Sequence, residues 1–147
     1  MSNTGKLRGI ATAFLIEARS DSEAVRVLIE NGQYSLAVYH AQQAVEKLLK
    51  ACLAIEGIIG IYKHEIFHFF TETLKDRFAD DEIQTLMETV PALEEEWSAT
   101  RYPGWDDGHL WIPSQEYTLE DAKEMESKMK AAAVVLKKFL KAGHGIE

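Results

Sequence analysis

Apolar residues recur at three- and four-residue steps along most of the chain, which is the spacing of an amphipathic helix. Segment 34–58 shows this most clearly, because it carries two adjacent apolar stripes. The first stripe consists of Tyr34, Ala37, Ala41, Ala44, Leu48, Ala51, Ile55 and Ile58. The second consists of Val38, Val45, Leu49 and Cys52. A helix that is apolar on two stripes needs neighbours on both, so this segment is predicted to be the central helix of a bundle.

Polar side chains are expected to keep one face of segment 34–58 in water. This face carries Gln43, Glu46, Lys47 and Lys50. Glu46 and Lys50 have the spacing of a helical ion pair. Lys50 would add attraction for a phosphate if it faces the same cleft as other site residues. For His40 we expect a structural hydrogen bond at a helix contact, with a dimer interface as the alternative.

Four further segments show helical spacing: 6–30, 64–78, 83–97 and 118–143. The first contains a candidate capping box at Ser20, but its apolar stripe continues in phase and predicts one long helix. Pro91 is expected to kink the fourth helix. Thr118 and Asp121 have the capping-box spacing that starts the last helix. Since no segment alternates with period two, the predicted fold is all-α: an antiparallel up-and-down bundle of four to five helices.

Residues 98–117, SATRYPGWDDGHLWIPSQEY, interrupt this helical pattern with a long connection. Long connections inside compact helical domains are usually either functional or disordered. Four large aromatic side chains give this one apolar surface to bury, which favours order. These are Tyr102, Trp105, Trp111 and Tyr117. The connection is therefore the first candidate for a functional element.

The composition fits one domain spanning residues 1–147, with 46% hydrophobic and 27% charged residues. There is no apolar run near ~18 residues, so no membrane span is expected, and the N-terminus lacks the pattern of a signal peptide. The single cysteine, Cys52, falls on an apolar helix face and is expected to be buried and inert. These features predict a cytoplasmic protein.

The net charge of −8 argues against broad, sequence-independent DNA binding, which depends on many Lys and Arg contacts to phosphates. A small local site for a nucleotide or one RNA strand stays compatible with it. His64 and His68 have the i,i+4 spacing of two metal ligands, but no third ligand has helical spacing with them. We therefore predict neither a metal nor a cofactor, and expect His64 to start a helix.

Several segments in a fixed order resemble the HEPN family, from about residue 21 to residue 140. They are Tyr39-His-Ala-Gln-Gln-Ala-Val-Glu-Lys-Leu-Leu-Lys50, then a glycine and His64, then Arg101-Tyr-Pro103, then Tyr117-Thr-Leu-Glu-Asp-Ala122. The resemblance implies a helical bundle that is commonly a homodimer. It also implies frequent pairing with a small nucleotidyltransferase, often as toxin and antitoxin. Many members are metal-independent ribonucleases that use an Arg and a His with four to six residues between them.

Arg101 and His109 would be that pair here, although seven residues separate them. In such a pair, Arg binds the phosphate and His accepts and donates protons. The alternative is that Arg101 pairs with Asp106 or Asp107 to pin the connection, while His109 is merely exposed. Because the spacing differs from that of active members, we expect a dimeric module that binds nucleotide or RNA and partners a nucleotidyltransferase. A toxin-type endoribonuclease and a purely structural helical subunit are the alternatives.

Tyr102 and Trp105 are candidates for stacking on a base, which would hold a nucleotide without reading its sequence. The alternative is that the aromatic residues close the end of the bundle or a dimer interface. That alternative is favoured for Trp111 and is about equally good for Trp105. The predicted binding residues are thus Lys50, Arg101, Tyr102, Trp105 and His109.

Overall fold

The computed structural model describes residues 2–147. Within them, the four helices of fifteen or more residues, α1, α2, α4 and α7 in the numbering below, form a bundle. The helices are α1 (Asn3–Glu30), α2 (Tyr34–Ile55), α3 (Phe67–Leu74), α4 (Asp80–Glu94), α5 (Glu96–Ala99), α6 (Pro113–Glu116) and α7 (Leu119–His144). The strands are β1 (Gly104–Asp106) and β2 (His109–Trp111). A single 3₁₀ turn, Lys75–Arg77, follows α3.

Helix α2 is the centre of the bundle, as its two apolar stripes predicted. It packs against α1 on one side and α7 on the other, and α4 covers α7. Both predicted stripes are buried along most of their length. Because the connection 31–33 is short, α1 and α2 run antiparallel. The predicted all-α bundle is confirmed.

The helix ends follow from local hydrogen bonds. Helix α1 continues without a break through Ser20, as expected. At the start of α7, Thr118 Oγ1 accepts the N–H of Asp121 at 3.1 Å, and the Asp121 carboxylate accepts the N–H of Thr118 at 2.9 Å. This is the capping box expected from the sequence. Pro91 lies inside α4, and the helix is interrupted at Glu95, a turn later.

Helix α3 begins later than predicted. The carboxylate of Glu94 accepts the backbone N–H groups of Ile66 and Phe67 at 3.0 and 2.9 Å, which satisfies the N-terminal donors there. His64 therefore lies in the connection before the helix and not at its first turn. Burial raises the pKa of Glu94, and these two hydrogen bonds only partly oppose the shift.

The prediction that no segment forms strands is wrong for part of the 98–117 connection. Strands β1 and β2 form an antiparallel hairpin in which Trp105 pairs with Leu110 and Asp106 pairs with His109. The two turn residues, Asp107 and Gly108, have φ of 46° and 82°. Such positive values belong to the type I′ turn that joins two strands tightly, and Asp-Gly is a favoured sequence for it. That dipeptide was the available signal for the hairpin.

The base of the hairpin is attached to the end of the bundle. The indole N–H of Trp111 donates to the carbonyl of Ala99 at 2.7 Å, and the ring lies edge-on to Tyr117 at 5.8 Å. The Tyr117 hydroxyl donates to the carboxylate of Glu96. Trp111 thus has the structural role favoured for it. Over residues 2–147, no helix has the length and apolar character needed to cross a membrane.

Candidate functional site

Arg101 lies where three aromatic rings converge. Its guanidinium carbon is 4.7 Å from the ring centre of Trp97, 5.0 Å from that of Tyr102 and 5.3 Å from that of Tyr39. Helix α5 supplies Trp97, α2 supplies Tyr39, and the turn after α5 carries Arg101 and Tyr102. Cation–π attraction of this kind holds a guanidinium in place while its N–H groups stay available to an acceptor.

Within residues 2–147, Arg101 forms no ion pair with a carboxylate, and its contacts are with the rings. The alternative in which Asp106 or Asp107 pins Arg101 is therefore not what the structure shows. The Arg101 side chain is exposed. An exposed guanidinium that is held by rings and has no anionic partner is suited to binding a phosphate or a carboxylate from another molecule.

Trp97 connects Arg101 to His64. The imidazole of His64 stacks on the indole of Trp97, with ring centres 4.1 Å apart and planes 19° from parallel. The guanidinium carbon of Arg101 lies 4.7 Å from the same ring centre. The distance between this carbon and the ring centre of His64 is therefore at most the sum of the two distances to Trp97. Arg101 and His64 thus contact the same indole ring, and this histidine is not the one that the sequence pointed to.

A buried carboxylate holds His64. Glu46 Oε1 lies 3.1 Å from His64 Nδ1 and 3.2 Å from the side-chain nitrogen of Gln42. Lys50 Nζ is 3.4 Å from the other carboxylate oxygen of Glu46. The Glu46 side chain is only 5% exposed. A buried carboxylate with a hydrogen-bonded partner on each oxygen has a fixed position, so it also fixes the imidazole.

This finding corrects the expectation that the polar face of α2 is exposed to solvent. Glu46 is buried, and Lys50, whose side chain is 14% exposed, is tied to it. Lys47 bonds to Asp21 of α1. The face is covered because α1 lies over one part of it and the connection carrying His64 lies over another. Lys50, predicted to contact a phosphate, is instead placed where it neutralises Glu46.

Asp21 forms a second partly buried network between α1 and α2. His40 Nδ1 lies 2.8 Å from one oxygen of Asp21, and the Lys47 ammonium contacts the other. Burial raises the pKa of Asp21, but the hydrogen bonds from His40 and Lys47 outweigh it and hold the pKa below its ordinary value. His40 thus makes the structural bond at a helix contact that was expected of it.

Among residues 2–147, the pairing partner of His109 is Glu116, whereas Arg101 contacts aromatic rings. His109 Nε2 lies 2.7 Å from Glu116 Oε1, and most of its side chain is exposed on the hairpin. Tyr102 contacts Arg101 directly and is 52% exposed. Trp105, on β1, is 76% exposed. Of the predicted binding residues, Arg101 and Tyr102 are in contact, and Trp105 presents a free aromatic surface on the adjoining hairpin.

Two depressions adjoin these aromatic residues. A groove of about 340 Å³ between α5 and the hairpin is lined by Ala99, Tyr102, Gly104, Trp105, Asp106 and Trp111. A cavity of about 510 Å³ is lined by Lys63, His64, Glu65, Glu94, Glu95, Trp97 and Ser98. Both volumes fall within the usual range for small-ligand sites. Trp97 and Tyr102, which both contact Arg101, border one depression each.

The indole N–H of Trp97 is buried and has no hydrogen-bond acceptor in residues 2–147. An unsatisfied buried donor costs about 1–3 kcal/mol. The ring is therefore held by its contacts with His64, Arg101 and Tyr102 and not by a hydrogen bond.

Sequence reasoning missed four members of this cluster: Tyr39, Glu46, His64 and Trp97. Tyr39 and Glu46 are seven residues apart, which places them on one face of α2. Both of them and His64 lie in segments already singled out. Their common position depends on tertiary packing.

The two histidines considered for a metal have separate partners. His64 is bonded to Glu46, and His68 lies 2.9 Å from Glu72. In the part of the chain that the structure describes, no group of three or more His, Cys, Asp or Glu side chains is arranged to hold a metal ion.

Comparison with known proteins gives a consistent relationship. The family model for the HEPN domain matches residues 11–142. "Putative toxin MJ1304" from Methanocaldococcus jannaschii is 34% identical over 151 aligned positions, covering 100% of this chain and 99% of that protein. The crystal structure of TT1696 from Thermus thermophilus aligns with a TM-score of 0.71 at 24% identity, covering 87% of this chain and 96% of that one. The last likeness concerns the fold alone.

Proposed function

Because this chain belongs to the HEPN domain family, we propose that it is a toxin-type member that binds single-stranded RNA, or a nucleotide as the smallest part of it. The proposed binding surface consists of Arg101, Tyr102 and Trp105. The observation that carries the proposal is the exposed Arg101 guanidinium, held over three rings and without an anionic partner in residues 2–147. The 34% identical relative named as a toxin supports the toxin-type role.

The chemistry of this surface fits a single strand. An Arg guanidinium can bind two phosphate oxygens at once. Exposed Tyr102 and Trp105 offer ring faces on which unpaired bases can stack, each worth about 1–3 kcal/mol. A base in a duplex is already stacked and offers no free face. The net charge of −8 makes extended phosphate contact unfavourable, so binding is expected to be local and only weakly salt-dependent.

Two partners are part of the proposal: a second copy of the chain and a small nucleotidyltransferase acting as the antitoxin. Both proposals rest on family membership, since HEPN domains are commonly homodimers and often pair with a small nucleotidyltransferase. Sedimentation equilibrium at micromolar concentration tests the first, and a monomer at all concentrations would contradict it. Co-purification from the native host tests the second, and recovery of this chain alone would count against it.

The endoribonuclease that uses Arg101 and His109 is the less favoured alternative, because the imidazole of His109 is paired with Glu116. Binding can be measured directly by fluorescence anisotropy of a labelled unstructured RNA of about twelve nucleotides. Arg101→Ala is expected to weaken affinity at least tenfold, and Trp105→Ala about fivefold or more. Arg26→Ala removes the same charge from an exposed site on α1 and is the matched control.

Equal affinities for the Arg101→Ala and Arg26→Ala variants would refute the proposed surface. A duplex of the same sequence, measured in parallel, should bind more weakly than the single strand. Thermal unfolding of each variant separates loss of binding from loss of the fold.

A further inference from the structure

Helices α1 and α7 leave an open groove between them on the surface of the bundle, which we call the α1–α7 groove. Each helix packs closely against α2, but α1 and α7 contact each other far less closely. They meet at Ser22, whose hydroxyl donates to the sulfur of Met129 at 3.7 Å. The groove has a volume of about 430 Å³.

The groove has the dimensions of a helix-binding site. The lining residues of α7 recur at three- and four-residue steps from Glu126 to Lys137. At 1.5 Å per residue, this wall is about 16 Å long, which is about three helical turns. The lining residues of α1 run from Arg19 to Arg26 at the same steps. Two neighbouring helices that present such faces form a trough into which a third helix can pack.

Apolar side chains form the inner part of the groove. Met129 and Ala133 lie buried there, at 3% and 8% exposure. Val134, also in the lining, is 69% exposed. A branched apolar side chain that lies this far in water gains free energy when another molecule covers it. No aromatic ring lines the groove in the described residues, so it has no platform on which a base could stack.

The rim of the groove is basic, although the whole chain has a net charge of −8. The lining contains four cations and two carboxylates: Arg19, Arg26, Lys130, Lys137, Glu23 and Glu126. Arg26 is paired with Glu23 and Glu30, and Lys130 lies 3.8 Å from Glu126. Arg19 and Lys137 have no carboxylate partner within residues 2–147, and both are exposed. Each wall therefore carries one cation that is available to an acidic group of another molecule.

We propose that the α1–α7 groove docks a protein partner through an amphipathic helix of about three turns, whose apolar stripe is flanked on both sides by Asp and Glu. The apolar stripe covers Met129 and Val134, and the acidic flanks meet Arg19 and Lys137. The groove shares no residue with the surface proposed for RNA. Docking is thus a function additional to RNA binding and does not depend on it.

A synthetic peptide of about fourteen residues, alanine-based with leucines at helical spacing and glutamates on both flanks, presents this chemistry. Anisotropy of a dye on the peptide measures its binding to the full chain. We expect saturable binding that is about tenfold or more tighter than that of a peptide with lysine in place of each glutamate. NMR of the isotopically labelled full chain should show the largest amide shifts in the stretches Arg19–Arg26 and Glu126–Lys137.

Variants of the rim and of the apolar part test the two contributions separately. Arg19→Glu and Lys137→Glu should each weaken peptide binding about three- to fivefold, and the double variant about tenfold or more. Val134→Glu should weaken it about tenfold, because an apolar contact is lost. Lys75→Glu reverses the same charge at an exposed lysine outside the groove and should bind like the parent chain. Thermal unfolding of each variant checks that the fold is retained.

The outcomes distinguish this docking from the other possible occupants and from the RNA surface. Absence of peptide binding, equal affinity for the glutamate and lysine peptides, or amide shifts outside the two stretches would overturn the proposal. Loss of RNA binding in the double variant would assign the groove to nucleic acid instead. Loss of self-association in that variant, measured by sedimentation equilibrium, would assign it to a second copy of the chain. Arg101→Ala should leave peptide binding unchanged whether or not it affects RNA binding, so the two proposals can fail independently.

Discussion

The imidazole of His64 lies flat on the indole of Trp97, with ring centres 4.1 Å apart. The same indole supports the guanidinium of Arg101. Trp97 is therefore the common support of two side chains that come from distant parts of the sequence. A flat ring at this position is required by both contacts, whereas the indole N–H, which has no acceptor in residues 2–147, is not required.

Trp97→Ala is accordingly expected to weaken RNA affinity about tenfold, because Arg101 and His64 lose the surface that orients them. Trp97→Phe keeps a flat ring and removes the unsatisfied donor, so its affinity should remain within about threefold of the parent chain. Anisotropy with the same RNA measures both. Phe69→Ala, which truncates an exposed aromatic on α3, is the control. Equal defects in Trp97→Ala and Trp97→Phe would contradict this account.

A second prediction concerns Gly108 in the turn of the hairpin, where φ is 82°. A Cβ there would meet no other atom within 4 Å, so the cost of Gly108→Ala is conformational, about 1–2 kcal/mol. The hairpin should loosen, and RNA affinity through Trp105 should fall severalfold while the far-UV spectrum of the bundle stays unchanged. Gly9→Ala, in the exposed face of α1, is the matched control and should slightly raise the melting temperature.

An unchanged RNA affinity in Gly108→Ala, with a hairpin shown by NMR to be loosened, would exclude Trp105 from the binding surface. Asp107→Gly places glycine, which adopts positive φ readily, at a position whose φ is positive. This variant should bind RNA like the parent chain.

Periodicity was sufficient to predict the bundle, because the spacing of apolar residues that forms a stripe on a helix is a local property of the sequence. The two stripes of α2 identified the central helix before any contact was known. The hairpin was missed because strands of three residues give too few positions for alternation, although Asp107-Gly108 marked the turn. The cluster around Trp97 could not be predicted, since Tyr39, His64 and Arg101 are far apart in the sequence. They meet only through the packing of α5 against α2 and the bond between His64 and Glu46.

The thiol of Cys52 provides a check on the packing of α2. The side chain is fully buried against α7, with its sulfur 3.8 Å from the carbonyl of Leu136, and burial raises the pKa of the thiol. The thiolate is the reactive form, so a thiol reagent at pH 8 should label native protein far more slowly than denatured protein. The labelling rate, followed by mass spectrometry with and without guanidinium, measures this. Rapid labelling of native protein would contradict the predicted burial of this face.

The lowered pKa of Asp21 predicts how the free energy of unfolding depends on pH. Burial raises its pKa, but the hydrogen bonds from His40 and Lys47 prevail and keep the folded-state pKa below the ordinary value of 3.8. The ionised carboxylate is thus favoured by folding. Its contribution is present above the ordinary pKa and is lost as the pH falls through the lowered folded-state value. At neutral pH, Asp21→Asn should lower the free energy of unfolding by about 1–3 kcal/mol.

That difference should shrink when the same urea titrations are repeated toward pH 2, because the parent chain then loses the contribution that the variant already lacks. Glu17→Gln, a change at an exposed acid on the same helix, should show no such convergence. A gap between the Asp21→Asn variant and the parent chain that stays constant from pH 7 to pH 2 would mean that the carboxylate is not stabilised by His40 and Lys47. The polar contact between α1 and α2 would then contribute through packing alone.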